Sequence, residues 1–167
     1  TLEDCILDPL PSAGIYSAVL ANNDVEFINV RCTAGISIIA KGTANAYTGG
    51  YCKFTNSSIN SNVNASRSLV IGANAVVSIN GGNINGTITP RSNCTILIQN
   101  CDWNTPSATG WLDTIQDLTQ TVELVNVNLQ ASHTATPNYT YDWKVKLLRL
   151  NSVKFNVPVS ITNRHKM

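Results

Sequence analysis

Residues Cys94-Thr-Ile-Leu-Ile-Gln-Asn100-Cys-Asp-Trp103 decide how this chain is read. Ile96 and Ile98 alternate with Leu97 and Gln99, the period of a strand. Asn100 then interrupts the run before two more apolar residues, Cys101 and Trp103. Five other stretches repeat the pattern: Val25-Glu-Phe27-Ile-Asn29-Val30-Arg-Cys32, Cys52-Lys-Phe54-Thr-Asn56-Ser-Ser-Ile59, Val77-Ser-Ile79-Asn-Gly81-Gly-Asn-Ile84, Val122-Glu-Leu124-Val-Asn126-Val127-Asn-Leu129 and Leu148-Arg-Leu150-Asn-Ser152-Val153-Lys-Phe155.

Taking Asn29, Asn56, Gly81, Asn100, Asn126 and Ser152 as turn residues, successive turns lie 27, 25, 19, 26 and 26 residues apart. That period belongs to solenoids and is too short for a two-helix repeat. Four and two residues before the turn, all twelve positions are apolar in a chain that is 43% hydrophobic. Between them lie Glu26, Lys53, Ser78, Leu97, Glu123 and Arg149, an outward column.

A strand that buries one face and turns once per period describes coils whose strands stack into a parallel sheet along an axis. The expected fold is therefore all-β, a right-handed parallel β-helix of about six coils. Asn suits the turn because it tolerates the left-handed backbone and its amides can stack as a ladder; Gly81 suits it for lack of a Cβ. Residues 1–23 are expected to be an entering segment or partial coil, 24–155 the β-helix, and 156–167 a C-terminal edge strand and tail, with Pro158 excluding a central strand. Second strands are expected at Ile36–Ile39, Leu69–Ile71, Gly86–Ile88 and Val145–Leu147. Asp113–Gln120 suits a helical turn as well as a strand, with Trp111, Ile115 and Leu118 spaced four and three apart.

Charged residues make up 13% of the chain, and 11 Lys and Arg against 10 Asp and Glu leave a net charge of +1. Such a balance carries no electrostatic footprint for nucleic acid or an anionic membrane. Solubility falls to Asn, Ser, Thr and Gly, whose short polar groups match the hydroxyls of sugars. No apolar run approaches a membrane span, so no membrane insertion is expected. The chain opens on Thr1-Leu-Glu-Asp without Met and reads as a fragment or processed product. Of five cysteines, Cys32, Cys52 and Cys101 fall at inward positions and read as reduced thiols in a core. His133 and His165 are far apart and no metal-ligand spacing occurs, so neither a metal nor a cofactor is expected.

No nucleophile elbow, P-loop, dinucleotide fingerprint or zinc signature is present, which leaves carboxylates as the candidates for catalysis. Glu26 and Glu123 share the outward column but stand four coils apart, about 19 Å at ~4.8 Å per coil, too far for an acid–base pair. Asp102 beside Trp103 and Asp142 beside Trp143 are better placed for sugar contact. The cluster Tyr139-Thr-Tyr141-Asp-Trp143 offers apolar faces with polar edges, suited to a pyranose ring or an interface, though the same alternation serves to pack one strand face. The candidate carbohydrate-binding residues are Trp103, Asp102, Tyr139, Tyr141 and Trp143; no catalytic residue is assigned. Asn-x-Ser/Thr triplets at Asn56, Asn64, Asn85, Asn93 and Asn138 are expected by accident in so Asn-rich a chain.

With its Asn-punctuated coils, low charge and interior thiols, the chain resembles, over about residues 24–155, bacteriophage tailspikes and tail fibres with a pectate-lyase-like β-helix. The resemblance rests on the repeat style. It implies a homotrimer, carried on the virion, that recognises, and often cleaves, bacterial surface polysaccharide; the interior thiols point to folding in the reducing host cytoplasm, and any glycan is expected near the Asp102-Trp103 turn or between chains. The alternative it leaves open is a depolymerase, a glycosidase or lyase working through Asp or Glu carboxylates. An adhesin passenger is a third class.

Overall fold

The structure, a computed structural model, describes residues 1–7, 24–33, 36–38, 50–60, 67–105, 110–112, 119–131, 139–141, 145–156 and 159–161. Its main sheet is parallel throughout and has ten strands. Four unbroken rungs form its middle: β6 (Tyr51–Asn60), β8 (Val76–Asn85), β10 (Thr95–Thr105) and β11 (Thr121–Ala131). Before them come two shorter rungs broken at the turn, β1 (Leu2–Glu3) with β2 (Ile6–Leu7) and β3 (Val25–Ile28) with β4 (Arg31–Cys32). After them comes a third, β13 (Leu147–Asn151) with β14 (Lys154–Phe155). The chain is a parallel β-solenoid, with four complete rungs among the described residues where about six coils were expected.

The pairing reproduces the sequence register. Phe27 pairs with Phe54, Phe54 with Ile79, Ile79 with Ile98, Ile98 with Leu124 and Leu124 with Leu150. Five of these six side chains are fully buried, and Phe27 and Phe54 stack with ring centroids 4.6 Å apart. Leu150 departs from the expectation at 41% exposure, because it sits on the last rung of the main sheet and nothing in that sheet covers its outer side.

All six expected turn residues have positive φ: 52° at Asn29, 47° at Asn56, 76° at Gly81, 52° at Asn100, 52° at Asn126 and 54° at Ser152. Asp4, at φ 48°, is a seventh, one period before Asn29. Gly82, at φ 83°, follows Gly81, and a Cβ on Gly82 would strike the backbone of Ser57 on the neighbouring rung. The coil from Gly81 to Asn100 is the short one, and Gly86, at φ 128°, turns it sharply into β9 (Thr87–Pro90).

A second parallel sheet stacks β5 (Ile36–Ile38), β7 (Arg67–Ile71) and β9. Three of the expected second strands are thus present, and Val145–Leu147 runs, as expected, into the last unit at β13, with Val145 buried. Asn74 and Asn93, both at positive φ, mark another stacked corner, where the Asn74 N–H donates to the Ser92 carbonyl at 2.9 Å. A third sheet pairs β12 (Tyr139–Tyr141) with β15 (Val159–Ile161) in parallel. Residues 113–118 of the alternative helical turn lie outside the described residues.

The core lies between the sheets and includes Trp103, Trp111, Ile59, Leu69, Ile71 and Ile88, all fully buried. Its two tryptophans are hydrogen-bonded as buried indoles require. Trp103 Nε1 donates to the Gly86 carbonyl at 2.8 Å, and Trp111 Nε1 divides its proton between the carbonyls of Trp103 and Gln130 at 3.0 and 3.1 Å.

Candidate functional site

The bend at each turn residue leaves a shallow concave strip along the outside of the main sheet. At its C-terminal part the strip deepens to an open groove of ≈ 350 Å³, lined chiefly by Asn100, Asp102, Asn126, Asn128, Ser152 and Lys154. Parallel pairing puts these residues in two columns, the turn residues in one and Asp102, Asn128 and Lys154 in the other. Successive rungs lie ~4.8 Å apart, so the groove offers a hydrogen-bonding group at each rung.

Amide ladders hold the columns. Asn126 Nδ2 donates to Asn100 Oδ1 at 2.9 Å, and Asn100 Nδ2 donates to Asn80 Oδ1 at 2.9 Å, so Asn80 continues the ladder where Gly81 has no side chain. Asn29 Nδ2 donates to Asp4 Oδ1 at 2.9 Å. In the second column Asn128 Nδ2 donates to Asp102 Oδ1 at 3.1 Å. A further ladder at the far end of the rungs joins Asn104 to Asn85 at 3.2 Å and Asn85 to Asn60 at 3.1 Å. Each bond fixes an amide's orientation, which gives the groove residues Asn100, Asn126 and Asn128 a preset arrangement of polar groups.

Asp102 is exposed and belongs to this groove. Trp103 does not: strand alternation turns it inward, it is 0% exposed, and its ring contacts the core. Its assignment as a sugar-contact residue is therefore corrected; the sequence placed it beside an exposed Asp, but adjacent residues of a strand face opposite sides. Tyr139 and Tyr141 lie on β12, and their side chains, like Trp143 and Asp142, are outside the described part of the molecule.

The two acids of the outward column, Glu26 and Glu123, are ion-paired. Lys53 Nζ bonds Glu26 Oε1 at 2.7 Å, and Arg149 Nη1 lies 3.6 Å from Glu123 Oε2. These are the charged members of the outward column, paired in sequence order by the stack. The hydrogen bond to Glu26, and then its charge, raise the pKa of Lys53. Asp102 is the one carboxylate among the described residues lining the groove, and glycoside hydrolysis commonly requires two within about 10 Å of each other.

The five cysteines are free thiols, and Cys94 is buried along with the expected Cys32, Cys52 and Cys101, while Cys5 is half-buried. No cluster of three or more potential metal ligands occurs among the described residues. No protein-family model, curated protein or solved structure matches the chain.

Proposed function

We propose that this chain is a polysaccharide-recognising piece of a phage tailspike or tail fibre, assembled as a homotrimer and non-catalytic in itself. The observation that carries the reading is the groove: the amides of Asn100, Asn126 and Asn128 and the Ser152 hydroxyl stand on three successive rungs, with Asp102 the one carboxylate and Lys154 the one cation among its described lining residues. A strip of donors and acceptors repeating along an axis suits an extended polymer of polyhydroxylated units more than a compact small molecule. Among the described residues no second acid lines the groove beside Asp102, in keeping with binding more than cleavage. Folding in the host cytoplasm and residence on the virion belong to the same proposal, in keeping with an interior that holds free thiols.

A panel of immobilised bacterial capsular and O-antigen polysaccharides tests it. At least one polymer is expected to bind, with affinity lowered about tenfold by Asn128→Ala or Lys154→Ala, as for loss of one hydrogen bond to a charged partner. Release of reducing ends or unsaturated uronate in the same mixtures, abolished by Asp102→Asn, would replace this reading with the depolymerase alternative. Light scattering is expected to give about three times 18.0 kDa, and a monomer would remove the trimer from the proposal.

A further inference from the structure

At the opposite, N-terminal end of the main sheet, a second open groove of ≈ 400 Å³ lies beside Tyr51, away from every residue of the Asn100–Lys154 groove. Tyr51 opens rung β6 and is 41% exposed; among the described residues it is the only exposed aromatic. Its partner on the next rung, Val76, is also 41% exposed, so the two side chains form an apolar step on an otherwise polar surface. Both point outward because Cys52 and Val77, the next residues along, point into the core.

Polar groups surround this step. Asp24, on the preceding rung, accepts the Tyr51 N–H on Oδ1 at 3.1 Å, which orients its carboxylate and leaves Oδ2 without a bond among the described residues. Glu26 and Lys53, two residues further along the same rungs, are joined at 2.7 Å, and both side chains remain partly exposed. The Tyr51 ring, the carboxylates of Asp24 and Glu26 and the Lys53 ammonium line one concavity with Thr1 and Val25. This combination differs from the main groove, which is built of amides and carries no aromatic among its described lining residues.

We propose that the Tyr51 groove is a separate binding site for a single neutral hexopyranose unit. A pyranose has a face of axial C–H groups, which would lie on the Tyr51 ring, and a rim of hydroxyls that donate to Asp24 and Glu26 and accept from Lys53. An aliphatic ligand has no use for the charged rim of Asp24, Glu26 and Lys53. The site does not depend on the function proposed for the main groove.

The test uses the full chain and the methyl α- and β-glycosides of glucose, galactose and mannose as probes, read by saturation-transfer NMR. Transfer is expected to the ring C–H protons of at least one probe, at millimolar affinity, weakened about tenfold or lost in Tyr51→Ala and retained in Tyr51→Phe. Because Tyr51 is a surface residue whose backbone bonds persist in both variants, an unchanged melting temperature is expected for each. Absence of transfer from all six probes would overturn the proposal, and so would transfer that survives Tyr51→Ala. Loss in Tyr51→Phe as well would move the contact from the ring face to the hydroxyl and overturn the stacked geometry.

Discussion

Gly81 and Gly82 show how narrowly the turn is specified. Both hold positive φ, and an added Cβ would meet Asn56 Oδ1 at Gly81 and the backbone of Ser57 at Gly82. A side-chain amide can move aside, whereas a neighbouring rung's backbone cannot move without breaking the sheet pairing. Gly82→Ala is therefore expected to destabilise by more than the ~1–2 kcal/mol of left-handed strain, and by more than Gly81→Ala, in urea unfolding. Equal losses would show that strain alone governs the site. The thiols give a second prediction at this scale. Burial, with a smaller contribution from neighbouring groups, pushes Cys32, Cys52 and Cys101 up to about 12 from the ordinary 9.0. A folded-state pKa above the unfolded one contributes stability that is fully present below the unfolded value and lost as pH rises through the folded one. The melting temperature is expected to hold steady up to about pH 9 from these groups and to decline between 9.0 and about 12. Titration with a chromogenic disulfide should find five thiols after denaturation, with half-buried Cys5 reacting first in the native protein.

Within the rungs, the stacked column sets the energetics. Ile98 lies in the middle of the stack with a rung on each side and no exposure, so Ile98→Ala should cost about 2–5 kcal/mol. Leu150 occupies the same column at its open end, 41% exposed, and Leu150→Ala should cost less than half as much. A similar loss at the two positions would contradict the stacking order. The sequence carried this column because apolar residues stand out against polar alternates, and it carried the turn because Asn, Gly and Ser recur at one phase. It did not reveal the ladder Asn60–Asn85–Asn104 or the corner at Asn74 and Asn93, since one more Asn in an Asn-rich chain gives no contrast. Asp4 escaped for a related reason: its rung is cut short, and four exposed or half-buried residues around it show little alternation.

For the molecule as a whole, the parallel stack and its spacing were legible, while the site was legible only in part. Asp102 could be placed outside by its distance from the turn, but the same counting places Trp103 inside, and its value as an aromatic obscured that. Tyr51 could have been found from the same alternation, as the outward residue preceding Cys52. Both grooves, and the ladders that line one of them, depend on residues 19–27 apart in sequence being neighbours on adjacent rungs. That claim is tested most directly by a distance across the whole stack. Glu3 and Asn151 are exposed and lie in one column, six rung steps apart through Ile28, Thr55, Asn80, Gln99 and Val125. Spin labels on Glu3→Cys and Asn151→Cys in a Cys5→Ser background, diluted with unlabelled protein, should give one narrow dipolar distance near 29 Å, six steps of ~4.8 Å. A broad distribution, or a single distance well away from that span, would contradict the stacked register.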